Sequence, residues 1–122
     1  MREKVLIILA NVDTKDGARL GTVMLQAITA AALEYEVEVI MTGVCSTLAE
    51  PGFAERVNVP GEAEGTLYDL IHEAFDAGVL FHVNPVPMVP WNGEFIREVE
   101  DVVNDAYLIN QALDEGTVVF TY

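Results

Sequence analysis

The chain has 122 residues, of which 20 are acidic and 6 are basic, so its formal charge is -14. A chain of this length holds one domain rather than two, and its charge repels a phosphate backbone, which excludes nucleic acid as an expected partner. Hydrophobic residues make up 52% of the sequence, and this share indicates apolar surface covered by a second copy, so we expect a homo-oligomer.

The compartment is predicted from the cysteine count and the apolar runs. Cys45 is the one cysteine, which excludes an internal disulfide. The opening MREKVLIILANVD lacks a signal-peptide pattern, and no apolar run approaches the roughly 20 residues that span a bilayer. We therefore expect a cytoplasmic protein with no membrane partner. The acidic surface fits either attraction to a basic partner or a saline environment.

The first half of the chain predicts a strand, a helix and a second strand. Residues 4–10, KVLIILA, form the near-continuous apolar run of a strand covered on both faces. After a polar turn, a helix begins near Gly17, with Asp13 and Asp16 as candidate caps. Residues 37–42, VEVIMT, predict a second, parallel strand that is apolar except for one glutamate. The irregular stretch after it is long enough to indicate a functional or interface loop.

The second half predicts two more helices and up to three strands. Residues 66–77 form an amphipathic helix with His72 on its polar, solvated face. Residues 79–83 predict the third strand, which leads into the loop NPVPMVPWN. A short extra strand within residues 96–103, a last helix and a terminal strand, TVVFTY, complete the chain.

This order predicts an α/β fold, specifically a three-layer α/β/α sandwich with a mostly parallel sheet of four or five strands in one domain, residues 1–122. Ligands on such a sheet bind at the carboxyl ends of the strands. The candidate ligand-binding residues are therefore the side chains that follow the first strand and those at or beyond the end of the third: Asn11, Asp13, Thr14, Lys15, His82, Asn84, Met88 and Trp91.

Cys45 is the candidate catalytic residue, because it follows the second strand just before a possible helix start at Ser46. A thiol beside a helix amino end has a lowered pKa and is a better nucleophile, which suits a persulfide carrier. The alternative is a small, inert, buried side chain, which is the commoner state of a free cysteine.

Other chemistry has less support in the sequence. His82 is a candidate proton donor or acceptor, or else a histidine satisfied by a neighbouring partner. No histidine or cysteine lies at metal-ligand spacing, so no metal is expected. The turn NVDTKDGARLG lacks both glycine-rich phosphate motifs, and no cofactor is expected.

The loop NPVPMVPWN is stiffened by three prolines and presents Met88 and Trp91 at low entropy cost. Such a surface suits a contact with a partner or a subunit. A loop that folds back over the end of the sheet is an equally good explanation.

The chain as a whole resembles the DsrE/DsrF/TusD-like family of small sulfur-relay proteins, also called DsrE-like or YchN-like. The resemblance is carried by KVLIILANVDTKDGARLGTVMLQAITAAALEYEVEVIMTGVC, by GTLYDLIHEAFDAGVLFHV and by EVEDVVNDAYLINQALDEGTVVFTY. It implies a parallel α/β sandwich in trimers or hexamers, a possible sulfur-relay protein partner, and a persulfide cysteine just after the third strand. That position falls at about Asn84, and the loop that follows contains no cysteine.

Two hypotheses follow from the missing thiol. The first is a non-catalytic or accessory binding protein related to the sulfur-relay proteins, with a pocket of Asn11, Lys15, His82, Asn84 and Trp91. The second is a sulfurtransferase or persulfide carrier that uses Cys45, and it requires this thiol to be exposed. The commonness of buried cysteines favours the first.

Overall fold

The strands and helices follow the sequence prediction closely. The computed structural model describes residues 3–61, 65–85 and 93–122, and within them the chain forms five strands and three α-helices. The strands are β1 (Lys4–Leu9), β2 (Glu36–Thr42), β3 (Leu80–Asn84), β4 (Val99–Val102) and β5 (Thr117–Thr121). The helices are α1 (Gly17–Ala32), α2 (Leu67–Asp76) and α3 (Asp105–Ala112).

The five strands form one parallel sheet in the order β4-β3-β2-β1-β5. The chain adds strands in one direction from β1 to β4 and then returns across the sheet to place β5 beside β1. Because parallel crossovers are right-handed, this reversal puts α1 and α2 on one face and α3 on the other. The predicted three-layer α/β/α sandwich is confirmed.

The main hydrophobic core lies between the sheet and the helices α1 and α2. Alternate strand residues such as Ile7, Val39 and Phe81 are fully buried there, against helix residues such as Leu20 and Ile71. In β1 the neighbouring residues Leu6 and Ile7 are both fully buried. Successive side chains in a strand point to opposite faces, so both faces of this strand are covered, as its continuous apolar run predicts.

The helix starts are fixed by side chains that accept backbone hydrogen bonds. Asp16 caps α1 by accepting from the Arg19 amide at 3.1 Å, which confirms one of the two predicted caps. Thr66 and Asp69 form a reciprocal capping box at α2. The first turn of α1 also needs Gly17, because a Cβ there would lie 1.8 Å from the Asn58 carbonyl oxygen.

The face beneath α3 is built differently from the main core. Leu6 and Ile40 are fully buried on this face, but the strands also place Glu38 and His82 there, both with little exposure. The helix α3 itself has no fully buried residue. It lies over a sheet surface in which charged and polar side chains replace part of the apolar layer.

Candidate functional site

The residues of the first loop stay at the carboxyl edge of the sheet, as predicted, but they do not form one pocket. Asn11 and Arg19 line a cavity of about 530 Å³ between β1, α1 and the end of β5. Thr14 and Lys15 line a separate cavity of about 270 Å³. Asp13 accepts a hydrogen bond from the Lys15 amide at 2.9 Å, so its carboxylate organises the turn.

The larger cavity has a mixed lining. Its polar groups come from Asn11 after β1, from α1 and from residues 121–122, and its walls include Val12 and Val23. Its volume is within the range of small-molecule sites. Arg19 supplies a guanidinium in a chain that has only 6 basic residues, although this side chain also lies 3.5 Å from the Asp16 carboxylate.

Cys45 is fully buried, with 0% exposure. It lies in a 3-10 helix, Gly43–Ala49, and its Sγ donates to the Val12 carbonyl oxygen at 3.4 Å. Burial raises the pKa of the Cys45 thiol above its ordinary value, although the hydrogen bond to Val12 acts in the opposite direction. The exposure that the carrier hypothesis requires is absent in this chain.

His82 and Asn84 lie on the face beneath α3, away from the first loop. The Asn84 amide donates from Nδ2 to Asp105 Oδ1 at 2.7 Å, at the start of α3. His82 Nδ1 lies 2.5 Å from Glu38 Oε2, so this histidine is satisfied by a side-chain partner, as one of the two sequence interpretations states. The structure therefore separates these two residues from Asn11 and Lys15 in the hypothetical pocket. Met88 and Trp91 lie outside the described residues.

Glu38 is the centre of a buried polar group that we call the Glu38 cluster, made of Lys4, Glu38, His82 and Tyr107. Lys4 Nζ donates to Oε1 at 2.6 Å, and the Tyr107 hydroxyl donates to Oε2 at 2.9 Å, beside the His82 contact. The Tyr107 ring also meets the imidazole edge to face, with centroids 5.2 Å apart. The carboxylate of a residue that is 1% exposed is thus paired at both oxygens.

The electrostatics of the Glu38 cluster keep the carboxylate charged and the phenol neutral. Burial by itself raises the pKa of Glu38, but the hydrogen bonds from Lys4, His82 and Tyr107 outweigh it, so this pKa is lowered from its ordinary value. Burial, the hydrogen bond to Glu38 and the negative charges of Glu38 and Asp101 raise the pKa of Tyr107 to about 12. The arrangement orients an imidazole, but it does so beneath a helix.

A second polar group, the Glu98 cluster, joins the buried Glu98 to four side chains that are partly or largely exposed, those of Tyr68, His72, Asp76 and Arg97. Glu98 Oε2 accepts from the Tyr68 hydroxyl at 2.7 Å and lies 2.9 Å from His72 Nδ1, while His72 Nε2 lies 3.3 Å from Asp76. His72 keeps 37% of its side chain exposed, in line with the predicted solvated face, and it also contacts a buried carboxylate that the sequence did not predict. Its helix face is polar because it receives a buried glutamate from the segment before β4.

The sequence did not predict the two polar clusters, which are formed by two glutamates and two tyrosines together with the histidines. For Glu38 the sequence offers one indication, because a single charged residue inside an apolar strand requires partners when it is buried. Glu98, Tyr68 and Tyr107 gave none, because their contacts join residues that are distant in the sequence. Among residues 3–61, 65–85 and 93–122, no group of three histidine, cysteine, aspartate or glutamate side chains is placed to hold a metal ion.

No helix among the described residues is long and apolar enough to cross a bilayer. No protein-family model matches the chain, and no curated protein matches it either. The site must therefore be interpreted from its own geometry.

Proposed function

We propose that this protein is a non-catalytic or accessory binding protein related to the DsrE-like sulfur-relay proteins, and that it works as a homo-oligomer in the cytoplasm. The observation that carries the proposal is the burial of Cys45, the only thiol in the chain. Sulfur transfer through a persulfide requires a thiolate that a donor can reach. This chain offers none in its folded state.

The environment of the thiol supports the same conclusion. Cys45 donates its hydrogen bond to a backbone carbonyl, and burial raises the pKa of this thiol. Buried cysteines with a raised pKa are inert, whereas reactive ones lie in electropositive, partly exposed surroundings. No observation favours the alternative carrier function.

The resemblance places a persulfide cysteine at about Asn84 or within the next few residues, and none of these is a cysteine. Asn84 is 6% exposed, and its side-chain amide donates to Asp105, which fixes the start of α3. A carboxamide holds no sulfane sulfur, so this residue has a structural contact in place of the transfer step.

The binding surface is the cavity of about 530 Å³ beside α1. Asn11 and Arg19 offer an amide and a guanidinium, and the neighbouring valines offer apolar walls. This set suits a small ligand with one anionic group. Thiosulfate is a suitable first probe, and it should bind more weakly to an Arg19→Gln variant than to Arg97→Gln, which removes an exposed arginine elsewhere.

The decisive experiment is to incubate the folded protein with a persulfide donor and measure its intact mass. We expect no added sulfur on the wild type, because the thiol is enclosed. The same protein in denaturant should gain sulfur, and a Cys45→Ala variant should gain none under either condition. A sulfur adduct that forms on the folded wild type and is lost in Cys45→Ala would overturn the proposal.

A further inference from the structure

One part of the surface carries no charge in a chain whose formal charge is -14. Residues 20–33 of α1 and its carboxyl end include no charged side chain, and neither do residues 116–122. The two segments are neighbours, since the Tyr122 hydroxyl donates to Gln26 Oε1 and both segments line the larger cavity. We call the exposed side chains of these segments the neutral face.

The neutral face includes an edge of the sheet. β5 is the outer strand on one side, and β4 is the outer strand on the other. β4 carries the exposed acids Glu100 and Asp101, which are the kind of charge that blocks pairing between edges. β5 is uncharged, and its Val118 and Phe120 are 45% and 43% exposed.

The main-chain groups of β5 are divided between its two sides. The Tyr122 amide donates to Ile8, and the Tyr122 carbonyl accepts from Ala10, so this residue faces β1. Because facing alternates along a strand, Val119 and Thr121 direct their amide and carbonyl groups away from β1. Within the described residues no strand lies on that outer side.

We propose that a second copy of this chain docks on the neutral face, with the two β5 strands pairing antiparallel across a two-fold axis. The inference rests on the homo-oligomer of the proposed function and adds the surface that forms it. A register centred on Val119 joins the outward main-chain groups of the two strands. It also sets Val118 beside the partner's Phe120, a favourable pairing of a β-branched and an aromatic side chain.

Charge favours a second copy over a different partner. A basic protein would be attracted to the acidic surfaces, not to the neutral one. Two identical chains that each carry -14 repel one another, and the repulsion is smallest when they meet through uncharged surfaces, which keep the acidic side chains apart. The edge of β5 meets the need for an uncharged contact, because its exposed residues are apolar or uncharged. An isologous contact uses this same surface on both copies.

The test compares two valines on opposite edges of the sheet. Val118 on β5 and Val102 on β4 are 45% and 44% exposed. Val118→Lys and Val102→Lys therefore make the same substitution at two equally exposed valines. We expect the wild type and Val102→Lys to sediment as the same oligomer. Val118→Lys should weaken the two-fold contact at least about tenfold, because it places two ammonium groups beside the axis.

Amide hydrogen exchange tests the same contact without a substitution. The Val119 and Thr121 amides should be protected in the assembled wild type and should lose protection on dilution. A wild type that stays monomeric would overturn both this contact and the proposed homo-oligomer. If Val118→Lys still forms the oligomer and the Val119 and Thr121 amides exchange freely in the assembled protein, the chains associate through another surface. That result would overturn only the surface assigned here. Neither result bears on the persulfide experiment.

Discussion

The two histidines of the chain occupy two versions of the same arrangement, each beside a buried glutamate and a tyrosine. In the Glu38 cluster, Lys4 completes the pairing of the carboxylate at both oxygens. In the Glu98 cluster, Oε2 has its partners, but Oε1 is buried without one among the described residues. The same three residue types therefore form one satisfied group and one incomplete group.

The difference follows from where each glutamate comes from. Glu38 lies in the middle of a central strand, where neighbouring strands and α3 approach it from several directions. Glu98 lies in the turn before the edge strand β4, where α2 supplies the two side chains, Tyr68 and His72, that contact its Oε2. A buried charge on a central strand can be surrounded, whereas a charge near an edge is reached from one side. The Glu38 cluster should consequently contribute more to stability.

The largest expected effect is the loss of Glu38. Glu38→Ala leaves Lys4 without its counter-ion and His82 without its side-chain partner, and breaking a buried pair in this way costs about 3–5 kcal/mol. Glu98→Ala removes a carboxylate that is already half unpaired and should cost about 1–3 kcal/mol. Urea unfolding measures both, with Glu36→Ala on the exposed end of β2 as the control. Equal losses of unfolding free energy for Glu38→Ala and Glu98→Ala would contradict the inference that the Glu38 cluster contributes more to stability.

A smaller effect is expected from the tyrosines. Tyr107→Phe removes a hydrogen bond to a charged acceptor and should cost about 1.5–3 kcal/mol. The pKa of Tyr107 is raised from 10.0 to about 12, so its contribution is complete below pH 10 and is lost as the pH rises toward 12. Wild type and Tyr107→Phe should therefore converge in stability across that interval.

Tyr68→Phe is the matched variant for the second cluster. It also removes one donor to a buried glutamate, and the loss should be at the lower end of the same scale because Glu98 already lacks a partner at Oε1. Unfolding curves for both variants at one pH below 9 make the comparison direct. A Tyr68→Phe loss that exceeded that of Tyr107→Phe would show that the Glu98 cluster is the tighter of the two.

The smallest effect is expected for Glu98→Gln, which keeps the shape and removes the charge. The pKa of Glu98 is lowered, because its hydrogen bonds from Tyr68 and His72 outweigh the burial that raises it. A carboxyl of this kind contributes stability above pH 4.5, and that contribution is lost as the pH falls through its folded pKa. The wild type should exceed Glu98→Gln by about 1 kcal/mol at neutral pH.

The dependence of stability on pH in the acid range compares the two glutamates. The difference between the wild type and Glu98→Gln should begin to shrink below pH 4.5 and should vanish only once the pH lies below the lowered folded pKa of Glu98. Glu38→Gln should show a larger difference that fades in the same direction. Thermal unfolding between pH 3 and pH 7 would measure both. A difference that persists in acid would indicate that the amide fits the site poorly for a reason other than charge.

The fold was predictable because its signals are local. The apolar run at the start of the chain predicts a strand covered on both faces, and the polar turn with Asp16 predicts where α1 begins. The strand bounds differ from the prediction by at most three residues, as at β4, where only Val99–Val102 pair within the predicted 96–103. Hydrophobic periodicity and capping residues act within a few positions, so one sequence shows them.

The site was less predictable because its contacts join distant residues. Glu38 meets partners that are 34, 44 and 69 positions away along the chain, and no spacing rule connects them. The prediction that His82 and Asn84 share a pocket with Asn11 failed for a related reason. The prediction correctly placed the carboxyl ends of the parallel strands at one edge of the sheet. It did not determine on which face of the sheet each side chain lies.

The helix α3 illustrates a consequence of building with polar contacts. It has no fully buried residue, and Asp105, Tyr107 and Gln111 hold it through bonds to Asn84, Glu38 and Lys4. Segments with few buried apolar contacts open locally at a lower free energy than the hydrophobic core does. The carboxyl-terminal part of the chain should therefore open through sub-global fluctuations well before the α1–α2 layer melts, and β5 would then depend on whatever pairs with its outer side.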